Sequence, residues 1–157
     1  MKLSKNDKII LVLITIAIIV SVLFVGISLV GNSATHREQA KGAVGLIGTY
    51  KGTYSAPQGV TGATIDVYKN NDGIVEATFE FYPTSENPSV ESGKFRCGVV
   101  FDNDTDTYSI AGTSWIERAP SYIYAGYAFN GALTEGKFAG MVYYQGLPVG
   151  SFEFARV

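Results

Sequence analysis

Hydrophobic and polar positions fall into two regimes along this chain. From Ile9 to Val30 the sequence is an apolar run without a charged residue, its only polar side chains Thr15, Ser21 and Ser28, preceded by Lys2, Lys5 and Lys8. From Leu46 onward, apolar residues alternate with polar ones, and Gly, Asn, Asp or Pro interrupts the pattern about every ten residues. The first regime predicts a membrane helix: 22 residues at about 1.5 Å per residue give roughly 33 Å, enough to cross a hydrocarbon core of about 30 Å. The second predicts antiparallel strands with one buried and one wetted face.

A cleavable secretory signal also begins with basic and then apolar residues, but its apolar part usually runs about 7 to 15 residues. Cleavage after Ala34 would place Asn32 where a small residue is wanted, and no Cys near the run offers lipoprotein processing. We therefore expect a signal anchor. Three lysines before the run, against Arg37 and Lys41 after it, favour an inside N-terminus and an outside C-terminal domain in a single-pass cell-membrane protein. Ala17 and Ser21, one turn apart, permit helix pairing. The expected organisation is a cytoplasmic basic N-terminus (1–8), a transmembrane helix (9–30), a small-residue-rich stalk (31–45) and a β domain (46–157).

Eight strands are expected: around Leu46 to Tyr54, Ala63 to Lys69, from Val75 through Phe81, from Phe95 through Phe101, Tyr108 to Trp115, Tyr122 to Gly131, Lys137 to Tyr144, and Val149 to Arg156. The third shows the pattern plainly, with Val75, Ala77, Phe79 and Phe81 alternating with Glu76, Thr78 and Glu80. Asn70 to Gly73 reads as a turn tolerant of positive φ. Eight short antiparallel strands must hide their edges, and closure into an up-and-down barrel does so most completely. An all-β, eight-stranded barrel is therefore expected, with a two-sheet β-sandwich as the alternative. Glycines at 98, 112, 126, 131 and 140 suit strands that bend or approach closely.

The stretch from Gly48 to Pro83, and that from Ser92 to Gly126, carry a Gly-Thr-Tyr opening, an FxFYP strand end at Phe79 to Pro83, a Ser-Gly-Lys entry at Ser92 to Lys94, and Trp-Ile-Glu at Trp115 to Glu117. Together these resemble a recurrent domain of bacterial membrane proteins, calycin-like and avidin-like in layout. The resemblance implies a small membrane-anchored barrel and no particular activity.

Charge divides along the same boundary. Residues 1–41 hold five basic and two acidic side chains, net +3, whereas residues 42–157 hold seven and twelve, net −5. An acidic domain repels phosphate backbones, so nucleic acid is not an expected partner. The expected partners are the lipid bilayer, through residues 9–30, and a small molecule or another surface protein.

Catalytic chemistry is sparse. His36 is the single histidine and falls in the stalk, leaving the β domain no His-based triad or metal site. Cys97, the single cysteine, lies on an apolar strand face and reads as a structural thiol. Glu76 and Glu80 share a face that should be solvated. Asp102, Asp104 and Asp106 alternate as calcium ligands do, but Thr107 and Thr113 stand where an EF-hand loop needs Gly and Glu, so a polar turn is expected, with a weak Ca²⁺ site as the alternative. Asn103-Asp104-Thr105 matches a glycosylation sequon. No Gly-rich phosphate loop is present, and no catalytic residue and no cofactor are expected.

The aromatic content points instead to binding. Ten Tyr, nine Phe and one Trp are present, and Trp115, Glu117, Arg118, Tyr122 and Tyr124 gather around one loop. At a barrel mouth, Trp115 and Tyr122 could stack on a flat or sugar-like ligand, with Glu117 and Arg118 in polar contact. The competing reading makes Trp115 a plug. A non-catalytic envelope binding or accessory module is the expected function. The alternatives are a membrane effector with a cytosolic ligand-sensing barrel, of the cyclic-nucleotide anti-phage type, and a hydrolase using Glu117 or Asp side chains.

Overall fold

The computed structural model describes residues 43–122 and 126–157. The basic N-terminus, the apolar run, residues 31–42 of the stalk and Tyr124 lie outside the described residues. A short 3₁₀ turn, Val44–Leu46, leads into eight strands: β1 (Gly48–Ala56), β2 (Gly59–Lys69), β3 (Val75–Tyr82), β4 (Gly93–Asp102), β5 (Thr107–Glu117), β6 (Tyr127–Thr134), β7 (Lys137–Tyr144) and β8 (Leu147–Arg156). Every strand pairs antiparallel with its neighbour in sequence, and Tyr50–Tyr54 of β1 pair with Phe152–Arg156 of β8 to close the barrel. The expected up-and-down barrel is thus the fold, and the sandwich is not. Among the described residues no helix is long and apolar enough to cross a membrane.

Local chemistry sets the hairpins. Glu135-Gly136 and Gln145-Gly146 each take positive φ at both positions, the conformation whose twist matches that of paired strands, and each joins its strands with two residues. Asn70 organises the β2–β3 turn: its side-chain oxygen accepts from the Asp72 and Ile74 amides, and its amide donates to Glu76. Some strand limits differ from expectation. Leu46 is not in β1; its fully buried side chain plugs the barrel end where the chain enters, and Ala43 is buried as well, while Val44 and Gly45 between them are exposed. β2 starts at Gly59, because the two-residue turn Pro57-Gln58 returns the chain at once. Its first residues, Val60 to Gly62, carry no alternation that would reveal this.

Side chains fill the interior. Phe79 of β3 stacks on Phe95 of β4 at 5.0 Å and, across the barrel, on Phe129 of β6 at 4.6 Å. Phe154 of β8 and Tyr54 of β1 meet the Phe79 ring edge-on, at 6.2 and 5.9 Å. Aromatic pairs at such separations add about 0.5–1.5 kcal/mol each beyond burial. Glycine makes the room: Gly131 and Gly140 face each other on β6 and β7, where a Cβ on either would run into the opposing backbone, and the Phe152 ring lies over Gly131. Of the glycines anticipated for close approach, these two serve it, whereas a Cβ at Gly98 would meet nothing nearer than 3.9 Å.

The chain-entry end is closed by Leu46 together with Arg156, which donates to the Ile47 carbonyl (2.6 Å) and the Tyr50 hydroxyl (2.9 Å) and lies 5.3 Å over the Tyr50 ring. The Val157 amide donates to the Thr49 carbonyl. First and last strands are thereby tied where they meet.

Gly140→Ala should destabilise the barrel by at least about 1–3 kcal/mol, the ordinary cost of overpacking, and Phe79→Ala by about 3–5 kcal/mol. Urea denaturation followed by circular dichroism measures both; a Gly140→Ala variant as stable as the wild type would contradict the close approach of β6 and β7.

Candidate aromatic mouth

At the opposite end lie the β1–β2 turn, the loop 83–92, residues 118–122 and the β7–β8 turn. Trp115 reaches this end through a bulge. Tyr108, Ile110 and Gly112 of β5 are inward by simple alternation, which would leave Trp115 facing outward. The pairing with β4 shifts register between Cys97↔Gly112 and Arg96↔Ser114, so Thr113 is an extra residue and the parity reverses. Trp115 then stands opposite Phe95, packed edge-on to it at 5.5 Å, with Phe81 at 6.2 Å and Tyr122 at 6.5 Å. It is half-buried, yet its indole N–H is fully buried and has no hydrogen-bond partner among the described residues.

The loops are pinned to one another by polar groups. The Glu91 carboxylate accepts from the Ser121 amide and the Ser121 hydroxyl, each at 2.9 Å, linking loop 83–92 to residues 118–122. Gln58 ties three elements: its side-chain amide donates to the Tyr54 hydroxyl at 3.2 Å, its side-chain oxygen accepts from the Tyr127 hydroxyl at 2.6 Å, and its carbonyl accepts from Asn87. The hydroxyl of fully buried Thr61 donates to the Gly59 carbonyl. Desolvation by burial pushes the Tyr54, Tyr122 and Tyr127 phenols up, Tyr54 furthest. The Tyr122 phenol also opposes ionisation of the other two, so the three hydroxyls share one region, while the hydrogen bond from Gln58 pulls Tyr54 the other way.

Of the five residues anticipated as a ligand site, Trp115 and Tyr122 come together as expected. Arg118 donates from Nε to the Tyr122 carbonyl at 2.8 Å and is exposed. Glu117 is exposed and pairs in register with Lys94, alongside rather than between the aromatic rings. Tyr124 lies outside the described residues. Tyr54, Gln58, Tyr127 and Glu91 were missed. Gln58 and Glu91 are single polar residues in loops, whose partners are fixed only by barrel closure; Tyr54 and Tyr127 read simply as strand residues.

The other candidate chemistries are dispersed. Cys97 is buried, and desolvation raises its thiol well above the ordinary value, leaving it a packed side chain. Glu80 pairs with Lys94 at 3.4 Å while Glu76 accepts from Asn70, so the two carboxylates have separate partners. Asp102 caps its own turn by accepting from the Asp104 amide at 2.9 Å, which lowers its pKa; Asp106 takes φ +53° to close the hairpin. Among the described residues no group of three or more His, Cys, Asp or Glu side chains is placed to hold a metal ion.

This geometry defines a closed antiparallel barrel with a filled interior and a polar, tyrosine-rich distal end. No protein-family model, curated protein or solved structure matches the chain.

Two outcomes follow. Trp115→Ala should cost about 2–4 kcal/mol through lost packing, whereas Trp115→Phe should retain most of the stability, since it keeps a ring against Phe81 and Phe95 and removes an unpartnered donor; chemical denaturation distinguishes the two. Groups whose native pKa is raised keep their protons longer when folded, so their contribution is full below the unfolded pKa and is lost as pH climbs toward the native one. Stability should therefore fall with rising pH from 9.0 upward for Cys97 and from 10.0 upward for Tyr54, and Tyr54→Phe should make the alkaline fall shallower in urea titrations at stepped pH.

Proposed function

We propose that this chain is a membrane-anchored, non-catalytic binding or accessory module of a bacterial cell envelope, with residues 9–30 spanning the bilayer and the barrel on the outer side. The observation that carries the reading is the uncharged apolar run from Ile9 to Val30 preceding a closed barrel. The charge bias around the run favours an inside N-terminus. The net −5 of residues 42–157 suits neither nucleic acid nor an anionic lipid surface, and leaves a small molecule or a protein as the partner class.

Binding is favoured over turnover by the chemistry at hand. The Cys97 thiol is sealed among apolar side chains, and the carboxylates on β3 are engaged separately. With aromatic rings filling the interior, a ligand would meet the distal end, at Trp115, Tyr122 and Arg118, rather than the barrel's centre.

The test is topology. With a tag after Val157 in a bacterial host, protease added to spheroplasts should remove the tag while a cytosolic marker survives. Protection that disappears only on lysis would overturn the outside placement and favour a cytosolic ligand-sensing effector.

A further inference from the structure

Resting on the reading of the chain as a membrane-anchored module, we propose that a second copy of this chain docks on the outer wall of β5–β7, about a two-fold axis that follows β6. The wall is set apart first by charge. No charged residue occurs from Ala119 to Thr134 or from Phe138 to Phe152, so the outward positions of β6 carry none and those of β7 only Lys137. The outer wall of β1–β4, by contrast, presents Lys51, Asp66, Glu76, Glu80, Lys94 and Arg96. A domain of net −5 therefore meets its own copy here without setting like charges against each other. Met141 on this wall and Val100 beside it are 44% and 46% exposed, and Lys137 and Glu153, paired at 3.0 Å, bound it at the entry end. An uncharged centre with a charged rim is the anatomy of a protein interface.

Register makes the wall self-complementary, which a two-fold contact requires. Ile110, Phe129 and Val142 point inward, so Ser109, Asn130 and Met141 form one outward row, and Ala111, Ala128 and Tyr143 form the next. Ladder partners lie side by side at right angles to the strands. An axis along β6 thus sets each β5 residue against the β7 residue of the same row in the other copy. Ser109 meets Met141, and Ala111 meets Tyr143. In both pairs a small side chain faces a large one, and a groove of about 370 Å³ beside Ser109, floored by Ala128, leaves room for the tyrosine ring. Asn130 is exposed and falls on the axis, where its carboxamide can donate to and accept from its own copy.

The wall is three strands wide, about 14 Å at about 4.8 Å per strand, so the contact is smaller than the about 800 Å² per partner of a standard interface. Such pairing is weak between free molecules and becomes effective where a shared bilayer raises the local concentration of copies.

Crosslinking through a single introduced thiol tests this, because Cys97 is buried and unreactive. The full chain is expressed in a bacterial host, and whole cells are treated with a short, membrane-permeant bismaleimide. The reagent reaches the barrel on either side of the bilayer, so the topology result does not bear on this one. Asn130→Cys should give a dimer band, whereas Thr53→Cys, exposed on the outer wall of β1, should not. Adding Met141→Glu to Asn130→Cys should abolish the band, and adding Ser109→Lys to that double variant should restore it, since the lysine then faces the new carboxylate across the axis.

Equal bands from Asn130→Cys and Thr53→Cys would mean chance collision and overturn the interface. Attachment of Asn130→Cys to a different polypeptide would overturn the second copy as the occupant. A band that survives Met141→Glu, or that Ser109→Lys does not restore, would overturn the pairing about β6. Fractionating the same cells tests the anchor separately: a soluble chain overturns that reading, and an uncrosslinked Asn130→Cys chain in the membrane fraction overturns the second copy alone.

Discussion

The contact on which the rest of the molecule depends is the stack of Phe95, Phe79 and Phe129 across the barrel. Phe79 and Phe129 belong to β3 and β6, strands that share no hydrogen bonds, so their 4.6 Å separation is made by the walls of the barrel meeting through its centre. An eight-stranded barrel either is filled by its own side chains or holds a ligand. Here the first solution is adopted. Two inward glycines on β6 and β7 accompany it: a Cβ at either Gly131 or Gly140 would run into the backbone of the paired strand, and one at Gly131 would also meet the Phe152 ring.

Filling the centre moves any recognition of a small ligand to the ends, and the two ends differ. Where the chain enters, Leu46 is a fully buried plug and Arg156 fastens the last strand to Ile47 and Tyr50. At the distal end the connecting segments are joined by polar contacts, two from Ser121 to Glu91 and those of Gln58 with Tyr54, Tyr127 and Asn87. Local stability should follow the same order, since loops with few buried apolar contacts open more readily than strands. The entry end secures closure, and the distal end is where chemistry can vary.

Much of the fold was legible in the sequence. Alternation in Val75 to Phe81 identified β3 with its correct inward face, and the Asn70 to Gly73 turn formed as its residue types predicted. Closure was legible only indirectly, from eight strands needing to hide two edges. Trp115 was less legible: the bulge at Thr113 reverses the inward parity, and no local residue pattern announces an extra residue whose position depends on pairing with β4. Likewise, Gln58 and Glu91 become mouth residues only because closure brings residues from distant parts of the chain together; Tyr127 reaches Gln58 across 69 positions of sequence.

The central claim is that the barrel is closed and filled by contacts through its centre, and nuclear Overhauser contacts between the rings of Phe79 and Phe129 test it most directly. With those two phenylalanines selectively labelled, strong ring-to-ring cross-peaks are predicted, because the centroids are 4.6 Å apart on strands that are not neighbours. Rings that show cross-peaks only to residues on adjacent strands would mean a hollow or open barrel, and would contradict the account.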